Sequence, residues 1–278
     1  MITIKRDAAI GDILMVTPVI QALRKKYGEV FLQVAPSLHD RLHDLLNAPG
    51  VLTVTRETRG DVINLNGAYE LRPHLHPVEA YARIAGVDVA DTAAGFCNTS
   101  YSVTSRHFDV MLHATRSWPN RTLPMSFWSS LVAALHAEGL TVACVAHNVG
   151  EVVPGCDAVF LGQTLPQVAG LIQYGAGVFI CGDSGPLHLA ACTDTPIIGL
   201  FTIATAERRR PWGRPAETFA GMNAAVDCVG CLHRAPMPCS FIDCEFQDER
   251  KHACLNGFSI PAIVEKALTM CKSPGAAR

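Results

Sequence analysis

The chain has 278 residues, of which 49% are hydrophobic, and this is enough for two cores of ordinary size. Its formal net charge of −2 provides no overall basic field that would favour nucleic acid as a partner. The sequence contains no run of about 18 apolar residues that would span a bilayer, and it opens with a strand-like segment instead of a signal peptide. We therefore expect a cytoplasmic protein without a transmembrane segment, for which peripheral contact with a membrane stays open.

Strand-like and helix-like segments alternate along the chain, which predicts a parallel α/β fold. The first half has predicted strands at 2–5, 31–35, 52–55 and 62–65, and predicted helices at 18–27, 38–46 and 77–84. The second half has predicted strands at 108–113, 140–145, 158–161, 178–181 and 197–201, and predicted helices at 125–138, 165–174, 186–192 and 261–271. Thr17 is the predicted cap of the first helix, and the polar stretch 90–106 is the predicted linker.

The most informative segment is 178–201, which has the pattern of strand, polar turn, helix, tight turn and strand. Pro186 suits the first turn of a helix because its φ is fixed and that turn needs no N–H. Such a unit directs backbone N–H groups and the positive end of a helix dipole to the carboxyl edge of the sheet. With His188 in the first turn, this unit is expected to bind a phosphate-bearing ligand, although many βαβ units have such a turn for topology alone.

Residues 183–191 read Asp-Ser-Gly-Pro-Leu-His-Leu-Ala-Ala and are followed by Thr-Pro and a strand that ends in Leu-Phe. This sequence resembles the nucleotide-sugar motif of family 9 glycosyltransferases, which include the heptosyltransferases of bacterial lipopolysaccharide biosynthesis. Segments 10–27 and 110–128 resemble the same family. The resemblance implies a GT-B fold, with two Rossmann-like domains facing a central cleft. It implies an acceptor-side domain at 1–105, a nucleotide-sugar domain at 106–258, and a C-terminal helix at 259–278 that often returns to the first domain.

The resemblance also implies roles for individual residues. Asp12 matches the family's proposed general base, whereas the residues alone favour a helix or turn cap. Arg121 stands where the family has a lysine thought to meet the donor phosphates; the alternative is a solvated surface charge. The expected donor-binding set is Arg121, Thr164, Asp183, Ser184, Gly185 and His188. The charge run 208–210 could steer an anionic ligand, but such runs are more often merely solvated.

Five of the chain's 11 cysteines crowd into the segment 227–255. In a cytosolic protein this density favours a metal over disulfides, and thiolates suit zinc or iron. Autotransporter heptosyltransferases, which this chain resembles, carry a cysteine-ligated iron in a comparable segment. The expected ligands of a structural zinc or iron are Cys228, Cys231, Cys244 and Cys254, with Cys239 as the alternative to Cys244. Free thiols in a flexible loop are the competing interpretation, and no catalytic metal is expected.

Together these features predict an inverting glycosyltransferase. It would move a sugar such as a heptose from a nucleoside diphosphate sugar such as ADP-heptose to a hydroxyl of a saccharide, lipid-linked or protein acceptor. A nucleotide-sugar epimerase of the same fold is the second hypothesis. A degenerate, non-catalytic binding protein is the third, motivated by the short first half and by Leu123 in place of a family tryptophan.

Overall fold

The computed structural model describes residues 1–48, 50–92, 95–99, 106–114, 118–233, 244 and 246–271 of the chain. Two parallel sheets organise these residues, one before the predicted linker and one after it. Cys239, the alternative metal ligand, lies outside the described residues, as do residues 115–117.

The first sheet is built from the segments before the linker. Its strands are β1 (Ile2–Lys5), β2 (Val30–Gln33), β3 (Leu52–Thr55) and β4 (Asp61–Asn64), and its helices are α1 (Ile10–Leu14), α2 (Thr17–Tyr27), α3 (Pro36–Leu46) and α4 (Pro77–Ala85). The strands are all parallel, in the order β3-β2-β1-β4. α2 forms because its apolar residues recur on one face, and Val19, Ile20 and Leu23 are buried there.

The second sheet is larger and follows the linker. Its strands are β5 (Phe108–His113), β6 (Val142–Ala146), β7 (Ala158–Leu161), β8 (Ala176–Gly182), β9 (Ile197–Phe201) and β10 (Phe219–Asn223); its helices are α5 (Met125–Ala137), α6 (Leu165–Gly175), α7 (Gly185–Ala191), α8 (Ala206–Arg209) and α9 (Ile260–Cys271). The strand order is β10-β9-β8-β5-β6-β7, again all parallel. Both the parallel pairing and the alternation with helices confirm the predicted α/β class.

Both faces of the second sheet are covered, as the continuous apolar strands of buried parallel sheets require. On β5, Val110 and Leu112 pack into a core with α5 and α9. Met111 points to the opposite face, into a core that also contains apolar residues of the first sheet. The two halves of the chain therefore share one continuous apolar core along the face that carries α6 and α7.

Three details differ from the sequence prediction. Thr17 is not a cap, because α2 already includes it and its hydroxyl donates to the Leu14 carbonyl at 2.7 Å. The short elements α1, α8 and β10 were not predicted, since four or five residues carry too little periodicity. The described part of the C-terminal helix, α9, packs on α5, β8 and β9 of the second half, where Ile263 and Ala267 are fully buried, whereas the resemblance implied a return to the first domain.

The helices that the structure describes include none with the length and apolar character needed to cross a bilayer.

Candidate functional site

A cleft of about 360 Å³ lies where the carboxyl ends of the two sheets approach each other. β1 leads into it through the turn before α1, and β8 leads into it through the turn before α7. Ligands bind at this edge in open parallel α/β sheets. The cleft is lined from both halves of the chain, by side chains that include Ile10, Asp12, Met15, Tyr69, His113, Trp118, Arg121, Glu151, Asp183, Ser184, His188 and Arg209.

Asp12 is the carboxylate that α1 brings to the cleft. Ala9 occupies the N-cap position of α1, so Asp12 is not the cap residue. Its Oδ2 lies 3.9 Å from Arg6 Nη2, and its Oδ1 lies 4.0 Å from Arg209 Nη1. Burial raises the pKa of Asp12 above its usual value, opposed by the positive charges of Arg209 and Arg6 and by the Tyr69 hydroxyl. The Asp12 side chain is 15% exposed, and a mostly buried carboxylate with a raised pKa is suited to accept a proton.

Arg6 supports Asp12 from the same half of the chain and was not predicted from the sequence. It is 2% exposed at the end of β1, and its Nη2 lies 2.6 Å from Glu70 Oε1. Its Nη1 donates to the Leu65 carbonyl at 3.1 Å, and its guanidinium lies 5.2 Å from the centroid of the Tyr69 ring. These contacts fix a charged guanidinium next to the candidate base. The available signal was an arginine immediately after a predicted strand, but its burial could not be known from the sequence.

Arg209 reaches the same carboxylate from the second half of the chain. It belongs to the charge run 208–210, for which solvation was the favoured interpretation, yet Arg209 itself is only 7% exposed. Its guanidinium lies 4.6 Å from the centroid of the Tyr69 ring. Burial disfavours its charge, but Asp183, Tyr69 and Asp12 outweigh burial and raise the pKa of Arg209. Arg209 therefore stays protonated inside the cleft.

Arg121 and Asp183 form a buried ion pair on the second-half side of the cleft. Arg121 Nη2 is 3.4 Å from Asp183 Oδ2, and Nη1 donates to the Asp183 carbonyl at 3.4 Å. The Arg121 guanidinium also stacks 4.1 Å from the centroid of the Trp118 ring. Although burial by itself would raise it, the charges of Arg121 and Arg209 hold the pKa of Asp183 below its usual value. Arg121 is thus an ordered cationic group facing the cleft and not a solvated surface charge.

The first turn of α7 approaches α1 closely. A Cβ on Gly11 would lie 3.1 Å from His188 Cδ2 and 3.2 Å from Gly185 Cα, so only glycine fits there without displacement. Ser184, Gly185 and His188 all line the cleft. Burial lowers the pKa of His188 to about 4, so its imidazole is neutral at neutral pH. The predicted anion-binding turn is therefore on the cleft wall, with a neutral histidine that has one N–H to donate.

A second cavity of about 170 Å³ adjoins the cleft and shares Ile10, His113, Glu151, Gly185 and Pro186 with it. Its wall is largely apolar with a few polar groups, which is the usual composition of a small-molecule pocket. The other lining residues are Arg41, Val145, Ala146, His147, Gln163, Leu165, Val168 and Leu189. Thr164 is exposed beside this cavity, where its hydroxyl accepts the Gln167 N–H at 3.4 Å as the N-cap of α6. Thr164 thus has the capping role that the sequence predicted.

Two histidines join the halves of the chain beside the cleft. His76 Nε2 donates to the Arg210 carbonyl at 2.9 Å, and His233 Nδ1 donates to the Pro73 carbonyl at 3.1 Å. In each ring the other nitrogen accepts a backbone N–H, which fixes the neutral tautomer. Burial lowers the pKa of His76 to about 3 and that of His233 to about 4. Both contacts were missed because the halves meet only in the tertiary structure.

Three of the four predicted metal ligands lie in the same part of the structure. Cys231, Cys244 and Cys254 are buried in one small core, and Gly230 adopts a φ of 79° in the turn after Cys228. Within the parts of the chain that the structure describes, no group of three or more His, Cys, Asp or Glu side chains is arranged to hold a metal ion. The thiolate donor set suits zinc or iron. The donor chemistry thus fits a metal, whereas the described side chains do not close around one.

The fold and cleft define the class of the protein: it has a GT-B fold. A structure of the dodecameric iron-containing heptosyltransferase TibC of enterotoxigenic Escherichia coli, in complex with ADP-D-beta-D-heptose, aligns with a TM-score of 0.77 over 97% of this chain and 76% of that chain, at 16% identity. The E. coli heptosyltransferase WaaC with ADP aligns with a TM-score of 0.66 over 95% of this chain and 98% of that chain, at 13% identity.

The family follows from the sequence. The family model of glycosyltransferase family 9 (heptosyltransferase) matches residues 76–236, so the chain belongs to that family. A 104-residue segment is 34% identical to Lipopolysaccharide heptosyltransferase 3 of Escherichia coli. That match covers 33% of this chain and spans 30% of the length of the relative.

Proposed function

We propose that this protein is an inverting glycosyltransferase that moves a heptose from an ADP-activated donor to an acceptor hydroxyl. The observation that carries the proposal is the opposition, across one cleft, of the mostly buried Asp12 carboxylate and the ordered Arg121 guanidinium. The donor class is supported by two solved relatives, TibC in complex with ADP-D-beta-D-heptose and WaaC with ADP. The acceptor is a hydroxyl of a saccharide, a lipid-linked saccharide or a protein, and the reaction is cytoplasmic.

In this mechanism Asp12 accepts the proton of the acceptor hydroxyl. The acceptor oxygen forms a bond to the anomeric carbon while the bond from that carbon to the donor phosphate oxygen breaks. The electron pair of the broken bond leaves with the diphosphate, and displacement from the opposite face inverts the anomeric centre. Because burial raises the pKa of Asp12, its carboxylate is a stronger base than an exposed aspartate.

The leaving diphosphate gains charge as the bond breaks, and positive groups fixed in advance stabilise that charge most effectively. Arg121 is such a group, because Asp183 and Trp118 hold its guanidinium in place. Neutral His188 adds one N–H donor without a second positive charge. The adjoining cavity of about 170 Å³ would take the nucleoside, since its wall is mostly apolar.

The proposal includes a structural zinc or iron at Cys228, Cys231, Cys244 and Cys254, with Cys239 as the alternative to Cys244. Support comes from the burial of three of these thiols in one small core and from the iron-containing relative TibC. A closed thiolate site leaves no open coordination position, so a metal there would clamp the segment around it and take no part in the transfer.

A thermal-shift screen followed by a turnover assay tests the proposal. The protein is heated with ADP, GDP, UDP and their sugar conjugates, and a ligand that binds the native state raises Tm by mass action. We expect the adenosine ligands to raise Tm, and we expect ADP-heptose to release ADP in the presence of an acceptor. Asp12→Asn is the matched variant, which should keep the Tm shift and lose ADP release.

Two outcomes would replace the proposal with another function. If none of the nucleotides shifts Tm of the folded protein, it is a non-catalytic binding protein. If the sugar nucleotide is converted to a stereoisomer without an acceptor, the protein is an epimerase. An epimerase of this fold would need further carboxylates in the cleft. The geometry does not favour one, because Asp183 is paired with Arg121 and Glu151 Oε2 accepts the His147 N–H at 2.8 Å.

A further inference from the structure

The two guanidinium groups at Asp12 are not equivalent. Arg6 belongs to the first half of the chain and lies 2.6 Å from the carboxylate of Glu70, so much of its charge is already compensated. Arg209 belongs to the second half, and the carboxylate within 4.0 Å of its guanidinium is that of Asp12. Asp183 of the second half also stabilises the charge of Arg209, and Arg209 reaches Asp12 across the cleft.

The position of Arg209 is fixed by contacts on both sides. Its guanidinium lies 4.6 Å from the centroid of the Tyr69 ring, which belongs to the first half. The next residue, Arg210, accepts a hydrogen bond from His76 Nε2 at 2.9 Å through its carbonyl, and this also joins the halves. α8 is thereby held against the first half where Arg209 extends toward Asp12.

We propose that Arg209 is a positioning residue, through which the second half of the chain keeps the Asp12 carboxylate ionised and oriented toward the cleft. This role rests on the proposed function of Asp12 as the base. Burial alone would raise the pKa of the Asp12 carboxyl further, and a protonated carboxyl cannot accept a proton from the acceptor. Only when the two halves are apposed does Arg209 lie close enough to oppose that effect.

The titration of Asp12 depends on charged and titratable groups from both halves of the chain. From the first half these are Arg6, Glu70, Tyr69 and Tyr81. From the second half these are Arg209, at 4.0 Å, and Arg121, which interacts with Asp12 over a longer range. Arg209 is the largest of the influences that lower the pKa of Asp12, so its removal should raise that pKa more than removal of a neighbouring arginine.

The test measures the titration of Asp12 directly, without relying on activity. The full-length protein is labelled with ¹³C-aspartate, and the carboxyl signal of Asp12 is assigned by comparison with Asp12→Asn. Titrations are recorded for the wild type, for the neutral variants Arg209→Met and Arg209→Gln, and for Arg209→Lys, which keeps the charge. Arg208→Met is the matched control, because Arg208 is adjacent on α8 but does not line the cleft.

We expect the pKa of Asp12 to rise by about one unit or more in both neutral variants, since an opposite charge at this distance lowers a carboxyl pKa by about that amount. Arg209→Lys should retain most of the wild-type titration, and Arg208→Met should retain all of it. An unchanged Asp12 titration in a folded neutral variant overturns the role of Arg209. An equal rise in the pKa of Asp12 in the control variant Arg208→Met also overturns that role.

A second readout is the pH profile of kcat/KM for ADP release from ADP-heptose, with water as the acceptor. Its acid limb should move to higher pH in Arg209→Met. At a pH below the limb, kcat/KM should then fall about tenfold when the pKa of Asp12 is one pH unit higher. An acid limb that stays in place while the titration moves also overturns the role in catalysis. If the wild type releases no ADP from any sugar nucleotide, with water or with an acceptor hydroxyl present, the proposed function fails, while the NMR titration still decides what Arg209 does to Asp12.

Discussion

Gly11 and His188 are in contact across the boundary between the two halves of the chain. A Cβ on Gly11 would lie 3.1 Å from His188 Cδ2 and 3.2 Å from the Cα of Gly185. The close approach of α1 and α7 thus depends on the absence of a side chain at position 11. It sets the distance between Asp12, which follows Gly11, and the turn that begins α7.

Gly11→Ala should therefore separate α1 from α7. Because one of the two contacts is backbone, the strain cannot be relieved by a rotamer change alone, and we expect a loss of about 1–3 kcal/mol in the free energy of unfolding. ADP release should fall as well, since Asp12 moves with α1. Urea unfolding and the turnover assay measure the two effects. In the comparison variant Gly185→Ala, the new Cβ would meet nothing closer than 3.6 Å, so its stability should stay near that of the wild type.

Asp12→Asn should reduce turnover by about 10²–10⁴-fold, because the amide cannot accept the acceptor proton. Its shape is nearly unchanged, so the nucleotide-induced rise in Tm should remain. Measurement of both quantities separates loss of the base from loss of donor binding. Turnover within a few-fold of the wild type would exclude Asp12 as the general base.

Arg121→Ala should destabilise the protein and weaken donor binding together. It leaves the buried carboxylate of Asp183 without its closest positive charge, and removal of one partner of a buried pair costs about 3–5 kcal/mol. Adding Asp183→Asn should restore much of the stability, since the uncompensated charge is then gone. It should not restore turnover, because the leaving diphosphate still lacks Arg121. Recovery of turnover in the double variant would contradict the role of Arg121 at the donor.

The stability of the protein should fall as pH is lowered below about 6.5. Burial lowers the pKa to about 3 for His76 and to about 4 for His113, His188 and His233. Between those values and the unfolded pKa near 6.5, the unfolded chain binds protons that the folded chain does not. Stability is therefore complete above about pH 6.5 and decreases toward pH 4, by up to about 1.4 kcal/mol per pH unit for each histidine.

Urea unfolding at pH 7.5, 6.0 and 5.0 measures this dependence. His233→Asn removes one of the four groups, so its stability should depend less steeply on pH than that of the wild type. A stability that is the same at all three pH values would show that these histidines titrate alike in both states.

The cysteine cluster should carry about one zinc or iron ion per chain in protein purified without chelators. Cys231→Ser and Cys254→Ser should each lower the metal content, measured by plasma mass spectrometry, and lower Tm, because the segment loses its clamp. Cys97→Ser is the control, since Cys97 lies outside the cluster and should keep both values. If the wild-type protein is folded but contains no metal, the predicted metal site is wrong and the buried thiols are ordinary core residues.

The sequence by itself determined the class of fold and much of the site. Alternating apolar segments predicted two parallel α/β halves, because both faces of such sheets must be covered by helices. The motif around Asp183 and Gly185 predicted the turn at the end of β8, and the motif around Asp12 predicted a carboxylate at the strand-to-helix turn after β1, where the structure has the short helix α1. The positions of these segments were predictable because local patterns and strand ends determine where such residues lie, whereas the base and donor-binding roles stay predictions.

Only the tertiary structure decided which distant side chains share the cleft. Arg6, Tyr69 and Arg209 have ordinary sequence surroundings, and their importance comes from burial next to Asp12, which depends on how the two halves pack. The same holds for His76 and His233, whose partners are 134 and 160 residues away in the chain. The periodicity of a segment indicates whether its faces are buried, but it does not identify the distant segment that packs against it. The charge of Arg209 acts on Asp12 only because folding places the two side chains 4.0 Å apart.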